Sequence, residues 1–258
     1  MEDTPIERLA RAIEDAVRAQ VAPPPRGVAF LGLDHASGTA LEVLASLAAH
    51  GIFRKYERVL DLGTGLGAVA RWMAARLGCD VLGVATDLGT ARAAWSLTRR
   101  ARLGAQVRTV AAALDAIPVR AGYFTHAWAV ESLAEVADPA AALAEALRAL
   151  RPGGTLAIQE LVPAGGATLS IAGRRLLGAD AWVAAARAAG FADVEVRDRS
   201  ADARERSARL LAARVHLEER LAGGTDGPVA RLVSARAELA GALAAGRVGV
   251  VQLVAMRP

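Results

Sequence analysis

The sequence is short of the side chains that most often mark cross-links or metal chemistry. It has one cysteine, Cys79, so no disulfide closes within the chain, and a buried, inert thiol beside a strand is expected there. The four histidines, His35, His50, His126 and His216, lie far apart and show no metal-ligand spacing, so no metal is expected. Aromatic residues are only 4% of the 258, which leaves the core to Leu, Val, Ile and Ala. Lysine occurs once, at Lys55, and the other cations are arginine. The net charge of +4 is spread along the chain, with no basic run dense enough for a nucleic-acid arm. The longest apolar stretch, Val248 to Met256, is too short to span a bilayer as a helix. No secretory leader pattern opens the chain. These absences point to a cytoplasmic protein that engages neither nucleic acid nor membrane.

What is present is an alternation of short apolar runs with helical periods. Ile6 to Val21 repeats apolar residues at helical spacing and runs into Pro23-Pro24-Pro25. Gly27 to Asp34 reads as extended or looped, and Thr39 to His50 as a helix closed by Gly51. Strands are expected at 58–62, 80–85, 106–111, 123–130 and 155–161. The helices between them are expected at 67–77, 89–102 and 139–150, the last opened by Pro139. Arg151-Pro152-Gly153-Gly154 reads as a turn. Beyond it come a helix at 181–189, a strand at 192–198, helices at 201–221 and 228–245, and a closing strand at 248–256. The pattern predicts an α/β fold: a Rossmann-like, doubly wound, mostly parallel seven-stranded sheet with helices on both faces and an added N-terminal helix. With no repeat and no linker visible, the chain reads as one domain. Its parts are an N-terminal helical cap (1–55), a cofactor-binding half (56–162) and a substrate-side half with the closing strand (163–258).

The chemistry-bearing feature is Asp61-Leu62-Gly63-Thr64-Gly65-Leu66-Gly67, a strand running into glycines that open a helix. Glycines there turn the backbone tightly and let a ligand approach it without a Cβ in the way. In open α/β sheets ligands bind outside the carboxyl ends of the strands. The spacing is G-x-G-x-G, which departs from the G-x-G-x-x-G of dinucleotide folds, and no Gly-Lys-Ser/Thr follows to make a P-loop.

Val59 to Gly67 resembles motif I of the class I S-adenosylmethionine-dependent methyltransferases. Ala127-Trp128-Ala129-Val130-Glu131-Ser132-Leu133 resembles their fourth-strand motif, and Leu147 to Leu156, with its Arg-Pro-Gly-Gly centre, the signature after it. Trp182 through Gly190-Phe191 resembles the segment before the sixth strand. Asp34-His35 with Gly38 resembles the opening segment of the small-molecule branch that methylates sarcosine, dimethylglycine and tocopherol precursors. The resemblance implies S-adenosylmethionine as cofactor and a small-molecule acceptor; a homodimer or association with a related subunit is a separate expectation. It places Asp61, Gly63, Thr64, Gly65, Gly67, Ala85, Thr86, Asp87, Ala113, Leu114, Asp115 and Ala129 around the cofactor.

Four positions depart from the family pattern: Thr125 replaces the Asp before the fourth strand, Glu135 replaces the His after it, and the other two bear on the cofactor. The acidic residue that ends the second strand and holds the ribose is Ala85 here, and the Asp that holds the adenine is Ala113. Each loses a charge-assisted hydrogen bond of about 1.5–3 kcal/mol, together roughly 10²- to 10⁴-fold in affinity. Asp87 and Asp115 lie two residues beyond each alanine. A methyltransferase-like protein with weak cofactor binding, acting as a partner subunit or as a cyclase-type enzyme, is therefore the alternative to a methyltransferase.

Methyl transfer needs alignment and exclusion of water, and a base only where the nucleophile must lose a proton. Glu131 and Glu135 flank the end of the fourth strand, Glu160 ends the fifth, and His35 lies in the opening segment. These four are the candidate catalytic residues. Arg174 and Arg175 fall where this fold places a substrate lid, and with Arg204, Arg206 and Arg209 are candidates to hold an acidic substrate group. Trp72, Trp95 and Trp128 are expected in the core.

Overall fold

The computed structural model describes residues 4–18, 30, 34, 35, 39, 41–51, 53, 56–165, 168–209 and 228–258. The prolines expected to end the first helix (Pro23–Pro25), Gly38, His216 and the part of the expected helix at 210–221 lie outside the described residues. The first helix, α1 (Pro5–Arg18), starts on a reciprocal cap. Glu7 N donates to Thr4 Oγ1 at 3.3 Å, and Thr4 N donates to the Glu7 carboxylate at 2.7 Å. A 3₁₀ turn (Leu41–Val43) then runs into α2 (Leu44–Ala48), shorter than the helix expected over 39–50.

The alternation that follows is β1 (Arg58–Leu62), α3 (Ala68–Leu77), β2 (Asp80–Ala85), α4 (Leu88–Arg100), β3 (Val107–Ala111), β4 (Phe124–Val130), α5 (Pro139–Ala149) and β5 (Leu150–Pro163). After it come β6 (Leu169–Ile171), β7 (Arg174–Leu176), α6 (Ala179–Ala188), β8 (Ala192–Asp198), a helix over 200–209 (α7), α8 (Pro228–Ala244) and β9 (Val248–Met256). Seven strands form one sheet in the order β3-β2-β1-β4-β5-β9-β8. Neighbours from β3 to β5 pair in parallel, and β9 runs antiparallel to both β5 and β8.

The period of two along β1 sends side chains to two cores. Leu60 and Leu62 join the cluster that holds Leu143 and Ala146 of α5 and Trp182 of α6. Val59 joins a cluster with Leu44 and Leu47 of α2 and Val69 and Met73 of α3. Both sheet faces are thus covered by helices, and each fully buried leucine contributes about 1.5–3 kcal/mol. Leu9, Ala10 and Ile13 of α1 pack on Ala93 and Leu97 of α4, outside both clusters. Among the described residues no helix is long and apolar enough to cross a membrane.

Three local expectations need correction. Arg151 to Gly154 is not a reversal but part of the continuous strand β5. Gly153 sits at φ 70° there, and Gly153 N and Gly154 O both bond the Arg257 backbone, so the four residues are held in the sheet as an irregularity. Residues 169–176 form a small antiparallel hairpin, β6–β7, for which no strand was expected. Trp95 is 36% exposed on α4, whereas Trp72 and Trp128 are buried and lie 6.5 Å apart between ring centres. Cys79 is buried, and burial pushes its thiol up to about 12, as an inert core thiol requires.

Candidate functional site

The chain order reverses between β1 and β4, and a cavity of about 430 Å³ opens at the carboxyl ends of β1, β2 and β4. The glycine turn forms its floor. Gly63, Gly65 and Gly67 all take positive φ, at 67°, 51° and 82°. A Cβ on Gly67 would stand 2.7 Å from a guanidinium nitrogen of Arg71, so the glycine makes room for that side chain. A Cβ on Gly65 would meet nothing within 4 Å, so the wall there is bare backbone facing the cavity. Ser132 Oγ donates to Leu62 O at 2.7 Å and ties the end of β4 to the turn.

Asp61 is 1% exposed at the end of β1. Thr64 Oγ1 donates to its Oδ2 at 2.6 Å, while Thr64 N donates to Val84 O at 2.9 Å and ties the turn to β2. Burial lifts the Asp61 carboxyl to about 7, against the downward pull of the Thr64 hydrogen bond and the Arg71 charge. A cationic ligand group beside Asp61 would favour its ionised form.

Arg71 braces the turn from behind. Only 2% exposed, it reaches Asp34 at 2.5 Å, Leu66 O at 2.7 Å and Thr98 Oγ1 at 3.1 Å. Its role was absent from the sequence reading. The available signal was a charged residue within the apolar stretch Val69 to Met73 of α3.

The second wall comes from β2 and α4. Ala85 is buried at the strand end, with Thr86 and Asp87 beside it on the cavity. Asp87 caps α4: Thr90 N donates to its Oδ1 at 2.8 Å and Thr90 Oγ1 to its Oδ2 at 2.6 Å. Burial pushes the Asp87 carboxyl up, but the bonds from Thr90 and Gly89 outweigh this and hold it below its ordinary value. The carboxylate keeps acceptor capacity for one further donor.

The third wall follows β4. Glu131 holds φ 51°, a left-handed conformation that costs a non-glycine residue roughly 1–2 kcal/mol. Its Oε1 accepts from Thr39 Oγ1 and, at 3.3 Å, from Gln159 Nε2, and its carbonyl accepts from Arg174. Gln159 faces its register partner Gln252, whose Nε2 donates to Gln159 Oε1 at 2.8 Å and to Val43 O at 3.1 Å. A buried polar relay therefore runs from the β5–β9 pair to Glu131. Its sequence signal was a glutamine inside each of two apolar strands. Glu135, 62% exposed, pairs with Arg174 of the hairpin at 2.8 Å, so β7 is latched over the cavity. His35 is buried on the cavity wall beside Asp34.

The structure thus brings together Asp61, Gly63, Thr64, Gly65, Ala85, Thr86, Asp87, Glu131, Glu135 and His35. Other expected residues lie off the cavity wall. Gly67 starts α3 behind the turn, and Ala129 is in the core. Leu114 turns into the same core, which leaves Ala113 and Asp115 exposed on the loop after β3. Glu160 lies beneath the cavity, its Oε1 accepting from Ser132 N at 3.0 Å and Leu133 N at 2.9 Å. Burial lifts its carboxyl to about 8, against the pull of those amides and of Arg174. His126 sits toward the amino end of β4, stacked on Phe53 at 4.4 Å, away from these residues. Arg206 and Arg209 pair with Asp202 and Glu205 on their own helix.

Comparison with known proteins gives the same frame. Residues 60–158 match a family described as a methyltransferase domain. The chain is 31% identical over 108 residues to methyltransferase GfsG of Streptomyces halstedii, covering 42% of this chain and 39% of that protein. It is 30% identical over 96 residues to a sarcosine/dimethylglycine N-methyltransferase of Halorhodospira halochloris, covering 37% and 34%. The matched part thus spans little more than a third of the length of these curated relatives. The crystal structure of the [4+2]-cyclase SpnF superposes with a TM-score of 0.72 at 24% identity, over 100% of this chain and 97% of that one.

Proposed function

We infer that this chain, which carries a methyltransferase domain on the class I Rossmann-like fold, is an S-adenosylmethionine-dependent methyltransferase acting on a small-molecule acceptor. The observation that carries the reading is the cavity at the carboxyl ends of β1, β2 and β4, floored by bare glycine backbone at Gly65 and by a buried Asp61. When bound, the cofactor supplies an electrophilic methyl group on a sulfonium. Asp61 and the Gly63–Gly67 turn are proposed to hold its amino-acid end, and Thr86 and Asp87 its nucleoside. Asp87, displaced two residues from the usual acidic position, takes over the part that Ala85 cannot play. Glu131, Glu135 and His35 then face the acceptor. Two carboxylates and an imidazole suit an acceptor carrying an amine or hydroxyl, which they orient and, where needed, deprotonate. The hairpin latched by Arg174 keeps water out. We place the protein in the cytoplasm, in keeping with a free, buried Cys79 thiol.

Isothermal titration with S-adenosylmethionine is the test. Saturable binding with release of S-adenosylhomocysteine on turnover is expected. The absence of heat at millimolar cofactor, with folded protein, overturns the reading. A second reading is favoured by the end-to-end likeness to a cyclase and by Ala85 and Ala113: the same cavity serves ring formation instead of group transfer. It requires cofactor binding with no methyl transfer to any acceptor that the cavity takes.

A further inference from the structure

A second cavity, of about 410 Å³, opens at the opposite edge of the sheet, at the amino ends of β1 to β4. Arg58 begins β1, Asp80 begins β2, Arg108 lies on β3, and Arg120 and Tyr123 lead into β4; all five line it. The guanidinium carbons of Arg58 and Arg120 stand over the one Tyr123 ring, at 4.3 and 4.7 Å from its centre. Two like charges are therefore gathered at a single aromatic side chain. Among the described residues none of the three arginines has a carboxylate partner, and the buried Arg58 Nε has no hydrogen-bond acceptor. Arg148, Arg197, Arg206 and Arg209, by contrast, each sit beside a glutamate or aspartate. Two of the three cations share one aromatic ring and the third, Arg108, donates to Gly104 O; among the described residues none is in ion-pair contact with an acid, Asp80 included, so their charges repel until an anion joins them.

We propose that this cavity binds a small phosphorylated compound, separate from the cofactor cavity. Guanidinium forks match phosphoryl oxygens, and the volume lies within the range of small-ligand sites. Asp80 adds a requirement. Its carboxylate repels a bare polyanion but accepts a hydrogen bond from a hydroxyl or amine, so the ligand carries such a donor beside its phosphoryl groups, as a nucleotide does.

The test uses the full chain, ATP and pyrophosphate as probes, and calorimetry at roughly physiological ionic strength. Both probes bind, ATP more tightly, and saturating S-adenosylhomocysteine displaces neither. Arg108→Gln and Arg120→Gln, both at exposed positions, each weaken binding by about 10-fold or more, the loss of one charge-assisted contact. Asp80→Asn narrows the preference for ATP over pyrophosphate. Arg76→Gln, an exposed arginine on α3, changes nothing. No binding of either probe by the wild type up to about 10 mM overturns the proposal without any variant. So does binding that both arginine variants retain, or that S-adenosylhomocysteine displaces. Should S-adenosylhomocysteine itself fail to bind, the proposed transferase activity falls, while the arginine variants still decide this site.

Discussion

Glu160→Gln isolates the consequence of burying a carboxyl under the cofactor cavity. Glu160 is 1% exposed, and burial raises its carboxyl from 4.5 to about 8. Over that window the native state binds a proton that the unfolded chain has released, so stability falls as pH rises from about 4.5 to about 8 and levels off above. Each pH unit inside the window is worth about 1.4 kcal/mol, less near the upper end where the native carboxyl itself ionises. Between about pH 6 and pH 8 Glu160 alone should remove about 2 kcal/mol of stability. Glutamine has nearly the same shape, stays neutral, and keeps an amide oxygen for Ser132 N and Leu133 N. Urea denaturation of wild type and variant, followed by circular dichroism at both pH values, reads the difference directly. The variant should gain about 2 kcal/mol on the wild type between the two conditions. Parallel pH profiles would show that Glu160 is ionised throughout and that the two amides outweigh its burial.

Arg71→Met should cost about 3–5 kcal/mol in the same assay, because it leaves the buried Asp34 carboxylate and Leu66 O without their donor. Arg71→Lys should restore little of this, since one ammonium cannot span Asp34, Leu66 and Thr98 together; full rescue by Lys would refute the bracing role. Gly65→Asn tolerates the positive φ yet fills the bare wall, so it should fold with near-normal stability and lose at least about 10-fold in S-adenosylhomocysteine affinity by calorimetry. Unchanged affinity would move the ligand off the turn. Asp87→Ser keeps a cap for α4 while removing the carboxylate; a stable variant with cofactor binding weakened about 10-fold is expected, and unaltered binding would remove Asp87 from the nucleoside site.

The sheet was legible because its strands are apolar runs bounded by turns. The bounds of β1, β2, β8 and β9 coincide with those expected from sequence. The hairpin β6–β7 escaped because three-residue strands are too short to show a period of two, and only Arg174 and Arg175 marked the region. Arg151 to Gly154 has the composition of a turn, but tertiary pairing with Arg257 keeps it in the strand. The glycine turn and its aspartate were visible as a local pattern. What supports them was not, since Asp34 and Arg71 are separated by 37 positions and Gln159 and Gln252 by 93. Such contacts exist only once the sheet has formed. Ala113 shows the converse limit: the family resemblance places it near the cofactor, and the apolar demand of Leu114 and Ile117 for the core leaves it exposed on the loop.

The distribution of unfavourable local features argues most strongly for the cavity. Away from it the sheet is packed mainly by Val, Leu, Ile and Ala, with a few aromatic residues, in two apolar clusters. Around it lie a carboxyl lifted to about 7 at Asp61, another lifted to about 8 at Glu160, the buried pair Asp34–Arg71 and the left-handed Glu131. Each weakens the folded state or adds little to it, and an apolar residue in its place would be easier to bury. Thr39 and Gln159 hold the Glu131 carboxylate from the interior, and Gln252 in turn holds Gln159. Strain and buried charge gathered on three walls of one cavity are what ligand contact would account for. The same reasoning separates the two cavities. At the carboxyl ends of the strands the lining charges are mostly acidic and already paired or hydrogen-bonded, so that site suits a ligand that carries an ammonium and a sulfonium beside its carboxylate. At the amino ends three guanidiniums lack carboxylate partners, so that site calls for a ligand that brings the negative charge itself.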